Sequence, residues 1–180
     1  MSFVVLRPVT PADSEFCFQL HKAAMGDYVA AVWGWDDADQ RAWHERGFDP
    51  DRWQIITVEG ADAGILIVEY GANEVYLARI ELHPDHQGRG IGSQLIRSLI
   101  DTAGRRGQSL ALDVLAVNTR ALAFYRRHGF REVVRHGEDD RKFECASLTS
   151  RPTSDDRWIT RSTDVRARQV LRGRSPDGMS

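Results

Sequence analysis

The chain has 180 residues, a formal net charge of −2 and a pI near 6.3, which suits one domain with a sizeable core. This charge argues against general nucleic-acid binding and a polybasic membrane anchor, and no stretch approaches the ~18 apolar residues of a membrane span. The two cysteines, Cys17 and Cys145, are too few for a disulfide framework, so we expect a cytoplasmic protein. From its charge and hydropathy we expect it to bind neither nucleic acid nor a membrane.

The N-terminal part predicts one strand and then helices. Phe3 to Leu6 is a short apolar strand, and Thr10-Pro11-Ala12-Asp13 supplies the N-cap, the first-turn proline and the early acid of a helix. We expect this helix to stop at Gly26. Residues from Tyr28 to Phe48 are expected to be helical in pieces around Trp33-Gly34-Trp35.

An antiparallel meander of three strands is predicted next, because three β-like runs are separated by glycine-containing turns. The first turn is expected at Gly60-Ala61-Asp62 and the second at Gly71-Ala72-Asn73. The three runs are Trp53 to Val58, Ile65 to Tyr70 and Val75 to Leu82.

A glycine-rich run, Gln87-Gly88-Arg89-Gly90-Ile91-Gly92, follows the third strand and opens an amphipathic helix. Apolar residues recur there at every fourth position, and the helix is expected to end between Gly104 and Gly107. Glycines lack a Cβ, so successive N–H groups can converge on one anion at the positive end of the helix. We therefore interpret the run as a backbone cradle for a pyrophosphate, which needs no metal. The apolar stripe consists of Ile91, Leu95, Ile96, Leu99, Ile100 and Ala103.

The remaining pattern predicts a strand, a short helix, a hairpin and a tail. Leu110 to Leu115 alternates like a strand, and Asn118 is expected to cap a helix that Gly129 closes. Phe130 to Val134 and Lys142 to Leu148 form the predicted hairpin. We expect a domain over residues 1–146 and an Arg- and Ser-rich tail over 147–180, which has too few large apolar residues to fold alone.

These residues together resemble the GNAT family of acetyl-CoA-dependent N-acetyltransferases. The resemblance covers roughly Val75 to Phe130, whereas residues 1–70 agree only in the order of elements. It implies an α/β fold with a mixed, twisted sheet of six or seven strands, helices on both faces and a V-shaped gap at the centre of the sheet. The matching positions are Leu82-His83-Pro84, the Gln/Arg-x-x-Gly-x-Gly/Ala pattern from Gln87 to Gly92, and the later Asn118, Ala121, Tyr125 and Gly129-Phe130.

The resemblance also implies how acetyl-CoA would be held. Amides of the glycine-rich run would bind the pyrophosphate, with Ser93 just inside the helix, and the backbone of Ile80 and Leu82 would bind the pantetheine arm. Asn118 would contact that arm in addition to its capping role. The implied cofactor-binding residues are Ile80, Leu82, Gln87, Gly88, Arg89, Gly90, Ile91, Gly92, Ser93 and Asn118.

Tyr125 is the implied catalytic acid. A phenol with a pKa near ~10 keeps its proton at neutral pH and can donate it to the thiolate that leaves after acetyl transfer. The general base is not assigned: Glu69, Glu74, Glu81 and Asp113 are candidates, and the resemblance also allows water to take this role. Strand alternation directs Glu81 away from Ile80 and Leu82, so we expect it to be a solvated surface residue.

The expected acceptor is a primary amine on a small molecule or a peptide. The resemblance implies that the variable lip of the acceptor site includes Trp33, Trp35, Asp36 and Asp37, where aromatic rings and carboxylates would suit a cation. The alternative is that the tryptophans pack in the core and that an aspartate caps the next helix. The C-terminal strands could also pair two copies into a homodimer.

Other classes of function fit the sequence less well. A dinucleotide-binding fingerprint would need a third glycine at position 93, which is Ser93. His83 and His86 are not expected to form a metal-binding pair, because Pro84 lies between them and the segment lacks a helical pattern. The remaining rival is a CoA-binding sensor or interaction module without transferase activity. Direct attack of the amine on the thioester is preferred to a cysteine intermediate, since neither cysteine has a base nearby in sequence.

Overall fold

The computed structural model describes residues 3–137 and 141–147. The N-terminal part contains two helices and four strands, of which the last three form an antiparallel meander. The last part, from the glycine-rich loop onward, contains two further helices and three strands. The elements are β1 Val4–Pro8, a 3-10 turn Pro11–Asp13, α1 Ser14–Trp33, α2 Asp37–Gly47, β2 Trp53–Val58, β3 Ala61–Tyr70, β4 Glu74–Leu82, a 3-10 turn Pro84–His86, α3 Ile91–Arg105, β5 Ser109–Leu115, α4 Thr119–Arg127, β6 Phe130–His136 and β7 Lys142–Ser147.

The strands within the described residues form one seven-stranded sheet in the order β1-β2-β3-β4-β5-β7-β6. Every neighbouring pair is antiparallel except β4 and β5, which are parallel. β4 and β5 pair only from Glu74 opposite Ser109 to Leu77 opposite Leu112. Beyond that point the two strands run on without pairing to each other, which opens the sheet at its centre. The predicted mixed sheet with six or seven strands is confirmed.

A β-bulge in β4 determines which side chains face the opening. Ile67 lies opposite Arg79 but the next residue, Val68, lies opposite Leu77, so Ala78 is an extra residue in β4. Such an insertion shifts the side-chain alternation by one position. Ile80 and Leu82 therefore pack in the same core as Leu77, although strict alternation would place them on the other face.

Helices cover both faces of the sheet, as predicted. α3 and α4 pack over the larger core, and the buried side of α3 is formed by the stripe that its sequence predicts. α1 covers the other face with a smaller core that includes Cys17 and Leu20 against Ile65. No helix in the described part of the chain is long and apolar enough to cross a membrane.

The expectation that Gly26 ends the first helix is wrong, because α1 continues to Trp33. Gly26 does not have the left-handed backbone of a helix stop, whereas Gly34 does, with φ of 80°. A Cβ built on Gly26 would lie 3.8 Å from the ring of Trp35. Gly26 thus marks a close approach of the following loop and not a helix end.

One smaller boundary, the β2–β3 turn, also differs from the prediction. The β2–β3 turn consists of Glu59 and Gly60, which both have positive φ, so Ala61 already belongs to β3. The C-terminal hairpin is confirmed, but β7 lies between β5 and β6. β7 includes Ser147, whose Oγ accepts a hydrogen bond from Leu110 N–H at 3.1 Å. Leu148 and the rest of the expected tail lie outside the described residues.

Candidate active site

The glycine-rich loop presents backbone N–H groups at the start of α3. Gly88 and Gly90 have φ of 73° and 80°, in the region that favours glycine. The first bond within the helix runs from Gln94 N–H to Gly90 O at 3.0 Å, so the amides of Ile91, Gly92 and Ser93 have no acceptor in the helix. Because these amides lie at the positive end of a 15-residue helix, they form a site for an anion.

Gln87 has a structural role at the edge of this loop. Its amide donates to Pro84 O at 3.1 Å. Its side-chain Nε2 donates to Leu82 O at 2.9 Å, and its Oε1 accepts from Arg120 Nη1 at 2.9 Å. The side chain thereby joins the end of β4 to the first turn of α4. Sequence reasoning missed Arg120, since no local pattern pairs it with a residue 33 positions earlier.

The predicted cofactor residues come together where β4, α3 and α4 meet. Ile80 and Leu82 are half-buried on the α3 face of β4, in the part of the strand that does not pair with β5. A Cβ built on Gly92 would lie 3.4 Å from the Phe124 ring and 4.0 Å from Leu82 Cδ1. The opening between β4 and β5 therefore leads directly to the free amides of α3. Arg89 is exposed beside them.

Asn118 and Tyr125 lie on α4. Asn118 caps the helix as predicted, with Oδ1 accepting from Ala121 N–H at 3.0 Å. Tyr125 is 9% exposed, and its ring packs edge-on against Phe124 and Phe130 at centroid distances of 5.2 and 5.4 Å. Burial raises the pKa of Tyr125 above its ordinary value. The phenol is therefore protonated at neutral pH.

The segment after α1 has clear structural contacts. Trp33 is the last residue of α1, and Trp35 Nε1 donates to Asp37 Oδ1 at 2.7 Å. Asp36 caps α2 by accepting from Asp39 N–H at 2.9 Å. The capping alternative for Asp36 is thus confirmed, and its role toward an acceptor stays a prediction, as do those of Trp33 and Trp35.

Glu81 is not the solvated surface residue that we expected from strand alternation. It does face away from Ile80 and Leu82, but α1 covers that face, and the residue is only 7% exposed. Its Oε1 lies 2.8 Å from His21 Nδ1 and 3.7 Å from Arg79 Nε. Burial by itself would raise the pKa of Glu81, but the charges of His21 and Arg79 outweigh it and hold that pKa below its ordinary value.

The other three carboxylates considered as bases are placed differently. Glu69 pairs with the exposed Arg52, and Glu74 lies at the start of β4 where the strands are still paired. Asp113 lies just beyond the last β4–β5 pair and accepts from His136 Nε2 at 3.0 Å. The opening is therefore bordered by two histidine–carboxylate pairs, one on each strand.

Both cysteines are buried, and their chemistry can be tested. Burial raises the pKa of the Cys17 thiol to about 12 and that of Cys145 to about 11, so less than about 1% of either thiol is ionised at pH 8. We expect a thiol reagent such as DTNB to label neither cysteine in the folded protein at pH 8 and both after unfolding in guanidinium. Rapid labelling of the folded protein would contradict this burial.

Comparison with known proteins identifies the family. A model of the acetyltransferase (GNAT) family matches residues 16–130, which is more than half of the chain. The chain belongs to the GNAT family. The match confirms the resemblance drawn from the glycine-rich run and its flanks.

Individual relatives agree with this assignment. The GNAT chain is 34% identical over 104 residues to [ribosomal protein bS18]-alanine N-acetyltransferase of Escherichia coli K12, covering 52% of this chain and 70% of that protein. It is 38% identical over 98 residues to streptothricin acetyltransferase of Streptomyces lavendulae, covering 53% of this chain and only 47% of the relative.

A solved structure confirms the GNAT fold. PaiA N-acetyltransferase from Thermoplasma acidophilum, crystallised in complex with coenzyme A, superposes with a TM-score of 0.63. The alignment covers 81% of this chain and 98% of that chain, at 16% sequence identity. This likeness extends to the architecture alone.

Proposed function

We propose that this GNAT protein transfers the acetyl group of acetyl-CoA to a primary amine. One observation carries the proposal: the ends of β4 and β5 that do not pair with each other open directly onto the free amides of Ile91, Gly92 and Ser93. An extended arm that ends in a pyrophosphate fits such a groove, since one part needs backbone partners and the other needs an anion site. The coenzyme A bound to the Thermoplasma relative supports the choice of ligand.

In the proposed reaction the amine nitrogen attacks the thioester carbonyl directly. A C–N bond forms, the C–S bond breaks, the amine nitrogen gives up one proton to a base, and Tyr125 gives its proton to the departing thiolate. Its burial keeps the phenol protonated up to high pH. The exposed Arg89 and the amides from Gly88 to Ser93 would hold the pyrophosphate, while Gln87 holds the loop in place through its side chain.

The identity of the acceptor is also a proposal, because the chain spans only part of the length of its relatives. It covers 47% of streptothricin acetyltransferase and 70% of the Escherichia coli enzyme. Their names point to streptothricin and to an alanine of a ribosomal protein as models for the acceptor. We propose that Trp33, Trp35 and Asp36 form one wall of the acceptor site. Arg141 Nη1 donates to Val32 O at 3.0 Å, which brings the start of β7 beside that wall.

We also propose that the protein is cytoplasmic. A homodimer that forms through the C-terminal strands is a separate prediction. Cys17 and Cys145 are free thiols buried on different elements, which suits a reducing compartment. Size-exclusion chromatography with light scattering would measure the oligomeric state.

The deciding experiment is a screen of CoA release from acetyl-CoA with an alanine-initiated peptide, streptothricin and a linear diamine, beside calorimetry of CoA binding. Release that depends on an amine, with the acetylated product seen by mass spectrometry, is expected. Binding of CoA without release for any amine would favour the sensor or interaction module. Absence of CoA binding would overturn both functions.

Gly90→Ala tests the anion site in the loop. At φ of 80° an alanine is strained by roughly 1–2 kcal/mol, and relief of this strain would turn the amides away. We expect the Kd for acetyl-CoA to rise about tenfold, measured by calorimetry. Gly107→Ala is the matched control, because Gly107 has φ of 67° and open space at the other end of α3. Equal weakening by both variants would contradict the assignment.

A further inference from the structure

A buried histidine–carboxylate pair lies on the α1 face of β4, directly behind the residues proposed to hold the pantetheine arm. Glu81 stands between Ile80 and Leu82 in the part of β4 that has no β5 partner. His21 reaches it from the middle of α1, with 2.8 Å between Nδ1 and Oε1. The exposed fractions of the two side chains are 13% for His21 and 6% for Glu81. This pair therefore lies close to the opening and is shielded from bulk water.

The hydrogen bond determines the tautomer of His21. The groups that face Glu81 are His21 and Cys17 on α1, Arg79 on β4 and His44 on α2. Burial by itself would raise the pKa of Glu81, but His21 and Arg79 hold that pKa below its ordinary value, whereas Cys17 adds no positive charge. An ionised carboxylate can only accept, so Nδ1 of His21 carries the proton and donates it. Whenever His21 is neutral, Nε2 is therefore the nitrogen without a proton, the one that can accept. No hydrogen bond to Nε2 is found within residues 3–137 and 141–147.

Two more contacts connect the pair with the acceptor side. The ring of Trp35 lies over His21 at a centroid distance of 6.0 Å, and Trp35 belongs to the proposed acceptor wall. Glu81 Oε2 is buried with no hydrogen-bond partner in the described part of the chain. A buried carboxylate oxygen with free acceptor capacity is costly unless it is used.

We propose that His21 is the general base of this acetyl transfer and that Glu81 positions it. This inference rests on the proposed function. As the amine nitrogen bonds to the thioester carbonyl, its proton passes to Nε2 of His21. Glu81 orients the ring and stabilises the imidazolium that results. The thiolate takes its separate proton from Tyr125, so one proton enters the protein and one leaves it in each turnover.

Asp113 and His136 are the competing pair on the other strand. They are 3.0 Å apart, with side chains 14% and 25% exposed. We favour His21 and Glu81 because they are the more buried pair, Glu81 has an unused oxygen and Trp35 covers His21. Each pair holds one histidine that can be changed to glutamine, which allows the two to be compared directly.

The test measures kcat/KM against pH for His21→Gln, His136→Gln and the wild type, using whichever amine of the screen the wild type acetylates. We expect His21→Gln to lose about 100-fold at pH 7, to regain rate as pH rises and frees more of the amine, and to bind CoA with unchanged Kd. His128→Gln is the control, since His128 packs on Phe124 on the opposite face of the sheet. It should behave as wild type.

The outcomes separate the inference from the function on which it rests. If the wild type acetylates no amine, both the proposed function and the assignment of His21 as the base are wrong. An active wild type with His21→Gln within twofold of it at every pH overturns the base assignment, and so does a loss confined to His136→Gln. Should His21→Gln fail to fold by circular dichroism, the near-isosteric Glu81→Gln replaces it. We expect that variant to change the acidic limb of the profile without changing the Kd for CoA, and an unaltered limb would also overturn the proposal.

Discussion

Replacing Tyr125 with phenylalanine is expected to lower kcat for acetyl transfer by about 100-fold or more. The substitution removes only the hydroxyl, so the edge-on packing against Phe124 and Phe130 remains. The thiolate then leaves without a proton from the protein. Steady-state kinetics with saturating acetyl-CoA measures the loss, and the Kd for CoA should stay within about twofold because the phenol is not part of the anion site.

Phe124→Leu provides a comparison, because it alters the packing around Tyr125 but leaves its hydroxyl in place. We expect Phe124→Leu to lower the melting temperature more than Tyr125→Phe does, with a smaller loss of kcat. A Tyr125→Phe enzyme with kcat within twofold of the wild type would exclude Tyr125 as the acid. The burial-raised pKa also predicts that no loss of rate below pH 9 comes from ionisation of this phenol.

Gly64→Ala is expected to destabilise the fold by about 3 kcal/mol, which would lower the melting temperature by roughly 10 °C. Gly64 lies opposite Leu82, and a Cβ there would overlap the carbonyl oxygen of Glu81 and lie 2.9 Å from Leu82 Cδ2. β4 would have to move away from β3 at the point where it borders the opening. Thermal unfolding followed by circular dichroism measures the effect.

Gly104→Ala is the control for Gly64→Ala. Gly104 lies inside α3 with open space where a Cβ would be, so alanine should stabilise the protein by about 0.5–1 kcal/mol through helix propensity. A Gly64→Ala protein as stable as the wild type would mean that β3 and β4 are not in such close contact.

Local sequence determined the elements that carry the proposed cofactor site. The Gln87 to Gly92 run, the apolar stripe of α3 and the Asn118 cap act over a few residues, so spacing alone predicted the loop and helices that the structure contains. Gly88 and Gly90 also signalled their left-handed backbone. The same kind of reasoning failed at Gly26. This glycine allows the ring of Trp35 to approach α1 closely, but from the local sequence alone it could not be told from a glycine that ends a helix.

Tertiary structure alone decided what surrounds the proposed reaction centre. The bulge at Ala78 and the cover provided by α1 bury Glu81 beside His21, which is 60 residues earlier in the chain. The placement of β7 between β5 and β6 likewise brings Arg141 to the end of α1. Local hydrogen bonds and side-chain periodicity depend on neighbouring residues and can be read from the chain. The partner of a buried charge depends on which elements pack together, and that is settled only when the sheet and its helices assemble.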